Sequence, residues 1–511
     1  MRFAMLGGLI LLGYSAAAFT QTAPATAPAT APGRLKITIG KDTTFLTDPP
    51  LRGDGTVDYV KAYDAILAKG ATTENNLYIP LLQVFGPGSV SGIGLDATLA
   101  RLGIKSLPKD GDYFVTFRDY LQSTGVPEAS LDSFEAQRDD LIGKLWNEKD
   151  LPEVAEWLKQ EEKHLDAIVA ASVRDHYYLP ANSPDGTLIG LFLPSLALQR
   201  DLARGLSLRA GLRAAQGNID AARRDAMAIH RHANLLSHSG SMIEMLVSCA
   251  IETLATETDA ATISSGKLTT AEAKSTLADL QHLPPFGSFV DTCNTAERLC
   301  MLDAVMAFVR GKGNAFISVL PSTPDVVQAL DITPEQAQKI DWDAILRIVN
   351  GHYDAIVAAV AQPTFAQRKA ALGAEEKRIG DLQVGAAAAM ADPDPTKRIA
   401  CVVQAALDAD LHRFEVLHEI ALTTIQLDQL AFALAAYRAD HGQYPDTLAP
   451  LAPAYIPSIP NDRFTDKPLI YKPTPDGFLL YSVGSDLTDD GGLKRAKVAG
   501  GNRDVVIRVG K

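Results

Sequence analysis

Residues 430–492 read LAFALAAYRADHGQYPDTLAPLAPAYIPSIPNDRFTDKPLIYKPTPDGFLLYSVGSDLTDDGG. The stretch opens as a helix with small and apolar residues, Ala431, Phe432, Leu434, Ala435 and Tyr437. Gly442 can take the left-handed conformation that ends a helix, and Pro445 bars its continuation. Two apolar runs, Leu469–Tyr471 and Phe478–Val483, flank the turn signal Pro475-Asp476-Gly477 and predict a strand pair. An acidic loop, Ser485–Gly492, follows. Asp504–Val509 alternates well enough for a third strand, and a long helix over Ile399–Asp440 leads into the stretch. Residues 399–511 therefore read as an α+β domain: one long helix against a three-stranded antiparallel sheet.

Upstream, the pattern over residues 34–398 is helical. A short strand-like piece, Leu35–Ile39 with Thr43–Leu46, comes first. The apolar periodicity then predicts helices over Thr56–Lys69 and Thr73–Phe85, the second interrupted at Pro80. Asp150-Leu151-Pro152-Glu153 has the form of a capping box that opens a helix running to about Arg174. Leu196–Gln216 and Ile219–Leu236 form a helix pair about Gly217-Asn218, with alanines where the two would cross closely. The pair looks like a single tetratricopeptide-type hairpin, with no second copy at a fixed spacing. Further helices are expected at Ile243–Ile263, Thr270–Gln281, Val290–Arg310 and Pro334–Ala361. The fold class is mainly α: a large multi-helix domain followed by the small α+β domain.

A chain of 511 residues exceeds what one apolar core usually organises. Its net charge of −13 argues against a nucleic-acid or anionic-membrane partner, because both need a basic face. Residues 1–18 read as a secretory signal: Arg2, an apolar core, then small residues to a cut after Ala18. That apolar run is short for a membrane span, so no integral membrane domain is expected beyond the signal. Residues 19–33 carry a Thr-Ala-Pro repeat and read as an extended linker. The chain is thus expected to be exported, to the periplasm or beyond, an uncleaved N-terminal membrane anchor being the other reading. Cys293 and Cys300 are seven apart on one predicted helix, beyond bridging distance. A disulfide would have to join that helix to Cys249 or Cys401; four separate buried thiols are the other reading.

Three features bear on chemistry. Asp486, Asp489 and Asp490 place three carboxylates beside Gly491-Gly492, a composition that can wrap oxygens around a hard cation such as calcium, or form a solvated turn. Two Glu-x-x-His pairs, Glu161/His164 and Glu415/His418, recur on separate helices, as in di-metal helical bundles; buried polar contacts or surface pairs are the simpler reading. His230 and His232 differ by about 200° around a helix and cannot share a face, whereas His230 and His238 can; solvated or capping roles are expected. The chain contains no phosphate-binding glycine loop, no His-Glu-x-x-His zinc motif and no Gly-x-Ser-x-Gly elbow.

One ordered set of residues carries a resemblance: Tyr437, Asp440-His441-Gly442-Gln443-Tyr444-Pro445, Tyr455-Ile456-Pro457, Pro460 and Asp462, Tyr471, and Tyr481-Ser482-Val483-Gly484-Ser485-Asp486. Together they resemble the C-terminal domain of type II secretion major (G-type) pseudopilins. The resemblance implies a helix-plus-sheet fold and a structural calcium held by Asp486 with Asp489 or Asp490, Asp504 being a further candidate. The Gly-Phe-x-x-x-Glu processing site of that family is absent, and Arg463 and Asp466 stand where it usually has proline and glycine. The resemblance therefore implies a fold reused away from a filament. The function expected is that of an exported bacterial binding or scaffolding protein with a protein partner and no catalytic residues. The alternatives are a metalloenzyme built on the two Glu-x-x-His pairs and a tetratricopeptide-like binding module.

Overall fold

The computed structural model describes residues 37–90, 94–191, 193, 195–310, 334–389, 392–406, 411–493 and 504–510. The expected signal and linker lie outside these residues. The fold is mainly helical, with a small three-stranded antiparallel sheet after a long helix.

Residues 37–46 form a turn rather than strands, because their backbone bonds outward instead of to a neighbouring strand. Thr43 O and Asp42 O accept from Asn350 Nδ2, and Thr44 O accepts from the Tyr59 hydroxyl. The N-terminal helices are α1 (Tyr59–Leu67), α2 (Tyr78–Phe85), α3 (Leu95–Leu102), α4 (Phe117–Ser123) and α5 (Glu128–Leu141). Pro80 falls in the first turn of α2, where its missing N–H costs nothing, so it breaks no helix. Helices α6 (Pro152–Gln160) and α7 (Glu162–Ala171) replace the single helix expected there. Pro152 at the first helical position makes Leu151 the cap, and the Asp150 carboxylate turns back to accept from Asn147 N at 2.7 Å. The side chains of α6, α7 and α2 close a first core around Trp146, Trp157, Leu202 and Ile229.

Helices α8 (Leu196–Gln216) and α9 (Ile219–Ser237) form the expected hairpin. Gly217 takes φ 87° and donates to Ala214 O, while the Asn218 side chain accepts from Ala221 N to start α9. Helix α10 (Met242–Ser264) packs along both, capped by Ser241 Oγ, and α11 (Thr270–His282) opens with a Thr269/Glu272 capping box. A one-turn α12 (Phe289–Thr292) and a π turn lead into α13 (Arg298–Val309). After α14 (Pro334–Ala337) come α15 (Trp342–Val360), α16 (Phe365–Ala389) and α17 (Pro395–Ala406). Leu302, Val305, Trp342, Leu346, Val349, Ile399 and Val402 form a second core there.

Helix α18 (Leu411–His441) is the spine of the C-terminal part. It ends where expected, with Gly442 at φ 79° donating to Arg438 O at 2.7 Å. It is long and apolar enough to cross a membrane, yet 67% of its most apolar stretch is buried within the protein. Its alanines, Ala431, Ala433 and Ala436, let α10 and α11 approach closely. Strands β1 (Ile470–Thr474), β2 (Gly477–Ser482) and β3 (Val505–Val509) pair in the order β1-β2-β3, both pairings antiparallel. Thr474 faces Gly477 across the Pro475-Asp476 turn. The sheet packs Phe478, Leu480 and Ile507 against Phe432 and Leu434, and the same core holds Ala210, Ile219 and Leu277 of the helical part. Each fully buried phenylalanine there contributes about 1.5–3 kcal/mol.

Candidate functional site

Where α9, α10 and α18 meet, four ionisable side chains lie inside the protein. His230 comes from α9, Glu252 and Asp259 from α10, and Asp428 from α18. Glu252 and Asp259 are seven apart and so lie on one face of α10. Their exposures are 1% for His230, 3% for Glu252, 0% for Asp259 and 1% for Asp428. His230 Nδ1 lies 2.9 Å from Glu252 Oε1, and Nε2 lies 2.9 Å from Asp259 Oδ2 and 3.6 Å from Asp428 Oδ2. Among the described residues, no N–H or hydroxyl group donates to either oxygen of Asp428 or to Oδ1 of Asp259.

Three carboxyl groups and one imidazole share this space. Burial disfavours the charged ring, but Glu252 and Asp259 at its two nitrogens outweigh that and hold the His230 pKa well above its ordinary value. Burial, then the neighbouring Asp259, pushes the Asp428 carboxyl well above the usual carboxylate range, against the pull of His230. Buried carboxylates without a matching cation are expensive, so the cluster must retain protons or hold a positive ion.

The neighbouring histidines divide as their helical phase requires. His232 is also buried, facing away from His230, with Nε2 2.7 Å from Gln199 Oε1; burial lowers its pKa to about 4. His238 is exposed and bonds Pro285 O at 3.0 Å. The expectation of solvated or capping histidines is corrected for His230 and His232. His230 is buried because α10 and the sequence-distant α18 cover one side of α9, and His232 because α8 covers the other.

The two Glu-x-x-His pairs are held by separate partners. Glu161 Oε2 lies 2.8 Å from His164 Nδ1, and His164 Nε2 lies 3.2 Å from Asp112 O. Glu415 instead accepts from Arg368 Nε at 2.7 Å, and His418 Nε2–H donates to Gly287 O at 2.8 Å between Phe286 and Phe289. The structure does not bring them to a common centre.

The acidic loop turns much of its oxygen toward backbone donors. Asp489 Oδ1 accepts from the Tyr481 hydroxyl at 2.9 Å and Gly491 N at 2.8 Å, and Asp486 Oδ1 accepts from Thr488 N at 3.0 Å. Asp504 bridges to Gly492 N at 2.7 Å and Asp490 N at 3.4 Å. Among the described residues, the one group of three His, Cys, Asp or Glu whose ligand atoms all lie within 4.8 Å of one another is His230, Asp259 and Asp428. Asp486, Asp489 and Asp490 do not form such a group.

Other residues singled out from the sequence have structural work. Arg463 Nε–H donates to Glu419 Oε1 at 2.6 Å, tying the turn to α18, and Asp466 takes φ 56°, a conformation that favours glycine. Asp462 accepts from Phe464 N, Ser482 Oγ and Val483 N, joining that turn to the end of β2. The four cysteines are free thiols. A shallow cleft beside Asn76 and Tyr178 contains Arg101, whose guanidinium is already paired with Asp64. Comparison with family models, curated proteins and solved structures found no match.

Proposed function

We propose that this is an exported bacterial binding or scaffolding protein, whose helical body presents a pseudopilin-like α+β unit to a protein partner. The observation that carries this reading is the placement of α18. Its C-terminal half carries the sheet, and the same side chains enter a core with α8, α9 and α11. A sheet so fixed is a rigid surface for docking rather than a tethered module. The residues that carry the resemblance support it by locking the unit: the Tyr471 hydroxyl donates to Pro445 O at 2.8 Å, and that of Tyr455 to Asp440 Oδ2 at 2.7 Å. Export rests on the signal-like residues 1–18. Calcium at the loop of Asp486, Asp489 and Asp490 belongs to the same proposal.

The test uses the full chain expressed in a Gram-negative host. Export predicts a periplasmic protein that begins at Phe19; a cytoplasmic product with residues 1–18 intact would sink it. Calcium should raise the melting temperature of the wild type and not of Asp486→Ala, and a melt unchanged by chelator removes the ion. Calorimetry against the soluble domain of a major pseudopilin tests the partner class, and no measurable heat removes the secretion assignment.

A further inference from the structure

We propose that His230, Asp259 and Asp428 bind a divalent transition-metal ion within the helical body, with Glu252 orienting the His230 ring from outside the coordination sphere. This inference stands apart from the export reading and from the acidic loop.

Geometry carries it. Metal–ligand bonds of about 2.0–2.2 Å place neighbouring ligand atoms about 3–3.5 Å apart. Asp259 Oδ2 and Asp428 Oδ2 lie 2.9 and 3.6 Å from His230 Nε2, and the three ligand atoms lie mutually within 4.8 Å. The second observation is independent of the clustering. Among the described residues, no N–H or hydroxyl group donates to either oxygen of Asp428, a side chain only 1% exposed whose nearest polar neighbours are the carboxyl of Asp259 and the ring of His230. A buried carboxylate directed at two other potential ligands and at no donor is what a cation would satisfy. The remaining ring nitrogen, Nδ1, lies 2.9 Å from Glu252 Oε1. A carboxylate on the far nitrogen fixes the tautomer that offers Nε2 to a metal.

The donor set selects the ion class. One imidazole nitrogen with carboxylate oxygens suits Zn²⁺, Mn²⁺ or Fe²⁺, whereas calcium prefers oxygen alone. The ligands come from three helices, so the ion would cross-link the α9–α10 pair to the spine α18. The protons that the cluster otherwise retains must leave as the ion enters, so uptake releases protons.

The experiment takes the untagged full chain, stripped with chelator and titrated separately with Zn²⁺, Mn²⁺ and Co²⁺ by calorimetry in buffers of different ionisation heat. The expected result is a single tight site, proton release and a raised melting temperature, with Co²⁺ giving a visible d–d band. Asp428→Asn should abolish the site, and Glu252→Gln should weaken it by about 10–100-fold. Asp486→Ala should leave it intact. Wild-type protein that takes up none of the three ions overturns the proposal and leaves a proton-sharing cluster. So does binding that Asp428→Asn and Glu252→Gln both leave unchanged, or that Asp486→Ala removes. If Asp428→Asn does not fold, the wild-type titration and the Glu252→Gln affinity decide.

Discussion

Asp225→Ala probes the contact that holds α8 to α9 beside the candidate site. The Asp225 side chain is fully buried and receives four N–H bonds: Arg209 Nε at 3.0 Å, Arg209 Nη2 at 2.7 Å, and Arg213 Nη1 at 3.0 and 2.8 Å to its two oxygens. Removing it leaves two guanidinium groups beside a cavity. Arg213 is 20% exposed and can turn to water, but Arg209 is 5% exposed, and it also donates to Asp166 Oδ1 at 2.7 Å and Glu162 O at 3.4 Å. Removal of one partner of a buried pair typically costs about 3–5 kcal/mol. Because Arg213 can be resolvated and Asp166 stays in place, the lower end, about 3 kcal/mol, is expected. Urea unfolding of the full chain, followed by far-UV circular dichroism, measures it. The companion variants are Arg209→Met and the double Arg209→Met/Asp225→Leu. The double should lose far less than the sum of the singles, since the one guanidinium it deprives of Asp225, that of Arg213, can reach water. A loss below about 0.5 kcal/mol for Asp225→Ala, the range of ordinary surface substitutions, would refute the reasoning.

Further outcomes follow from other sites. Burial pushes the Glu244 carboxyl from 4.5 to about 7, against hydrogen bonds from Ser241 and Ser239. The folded chain thus keeps a proton that the unfolded chain releases, so this contribution is full below pH 4.5 and is lost as pH rises towards about 7, a change of about 3 kcal/mol. Glu244→Gln should remove that slope from a pH series of melts, and a slope identical to wild type would contradict it. Burial raises the Cys249 thiol to about 12 and also raises Cys293, Cys300 and Cys401, so a disulfide reagent at neutral pH should react slowly with native protein. After unfolding without reductant, four thiols should titrate, and two or none would contradict the structure. A Cβ on Gly477 would lie 1.8 Å from Val509 O, so Gly477→Ala should push β3 away, cost about 1–3 kcal/mol and deprotect the amides of Val505–Val509. Unchanged exchange there would show that the strand pair yields without cost.

Much of the fold was legible because its signals are local. Gly217-Asn218 marks the α8–α9 turn through a left-handed cap and an N-cap side chain, and Gly442 with Pro445 marks the end of α18. Helix α16 was missed for an equally local reason. Its residues, FAQRKAALGAEEKRIGDLQVGAAAA, place charge and alanine on every side, so no apolar stripe announces it. Pro80 and Asp150 misled because a proline or acid has opposite meanings one turn apart. The buried cluster was illegible in principle from one helix. Phase arguments separate His230 from His232, but cannot show that Glu252, Asp259 and Asp428 come from α10 and α18 to surround it. Two faint signs were present: acids seven apart in the apolar α10, and Asp428 within the apolar run before Phe432.

The sharing of one core between β3 and the α8–α11 helices has a consequence for the order of assembly. Val505, Ile507 and Val509 lie last in chain order among the residues of that core, and Gly510 N donates to Ser264 Oγ at 3.2 Å at the end of α10. Helices made about two to three hundred residues earlier therefore keep an apolar flank open until this strand has been synthesised. The chain should dwell in a loosely closed, chaperone-accessible state until then. An exported protein would exploit such a delay, because a chain that cannot finish folding early is still threadable when it reaches the membrane.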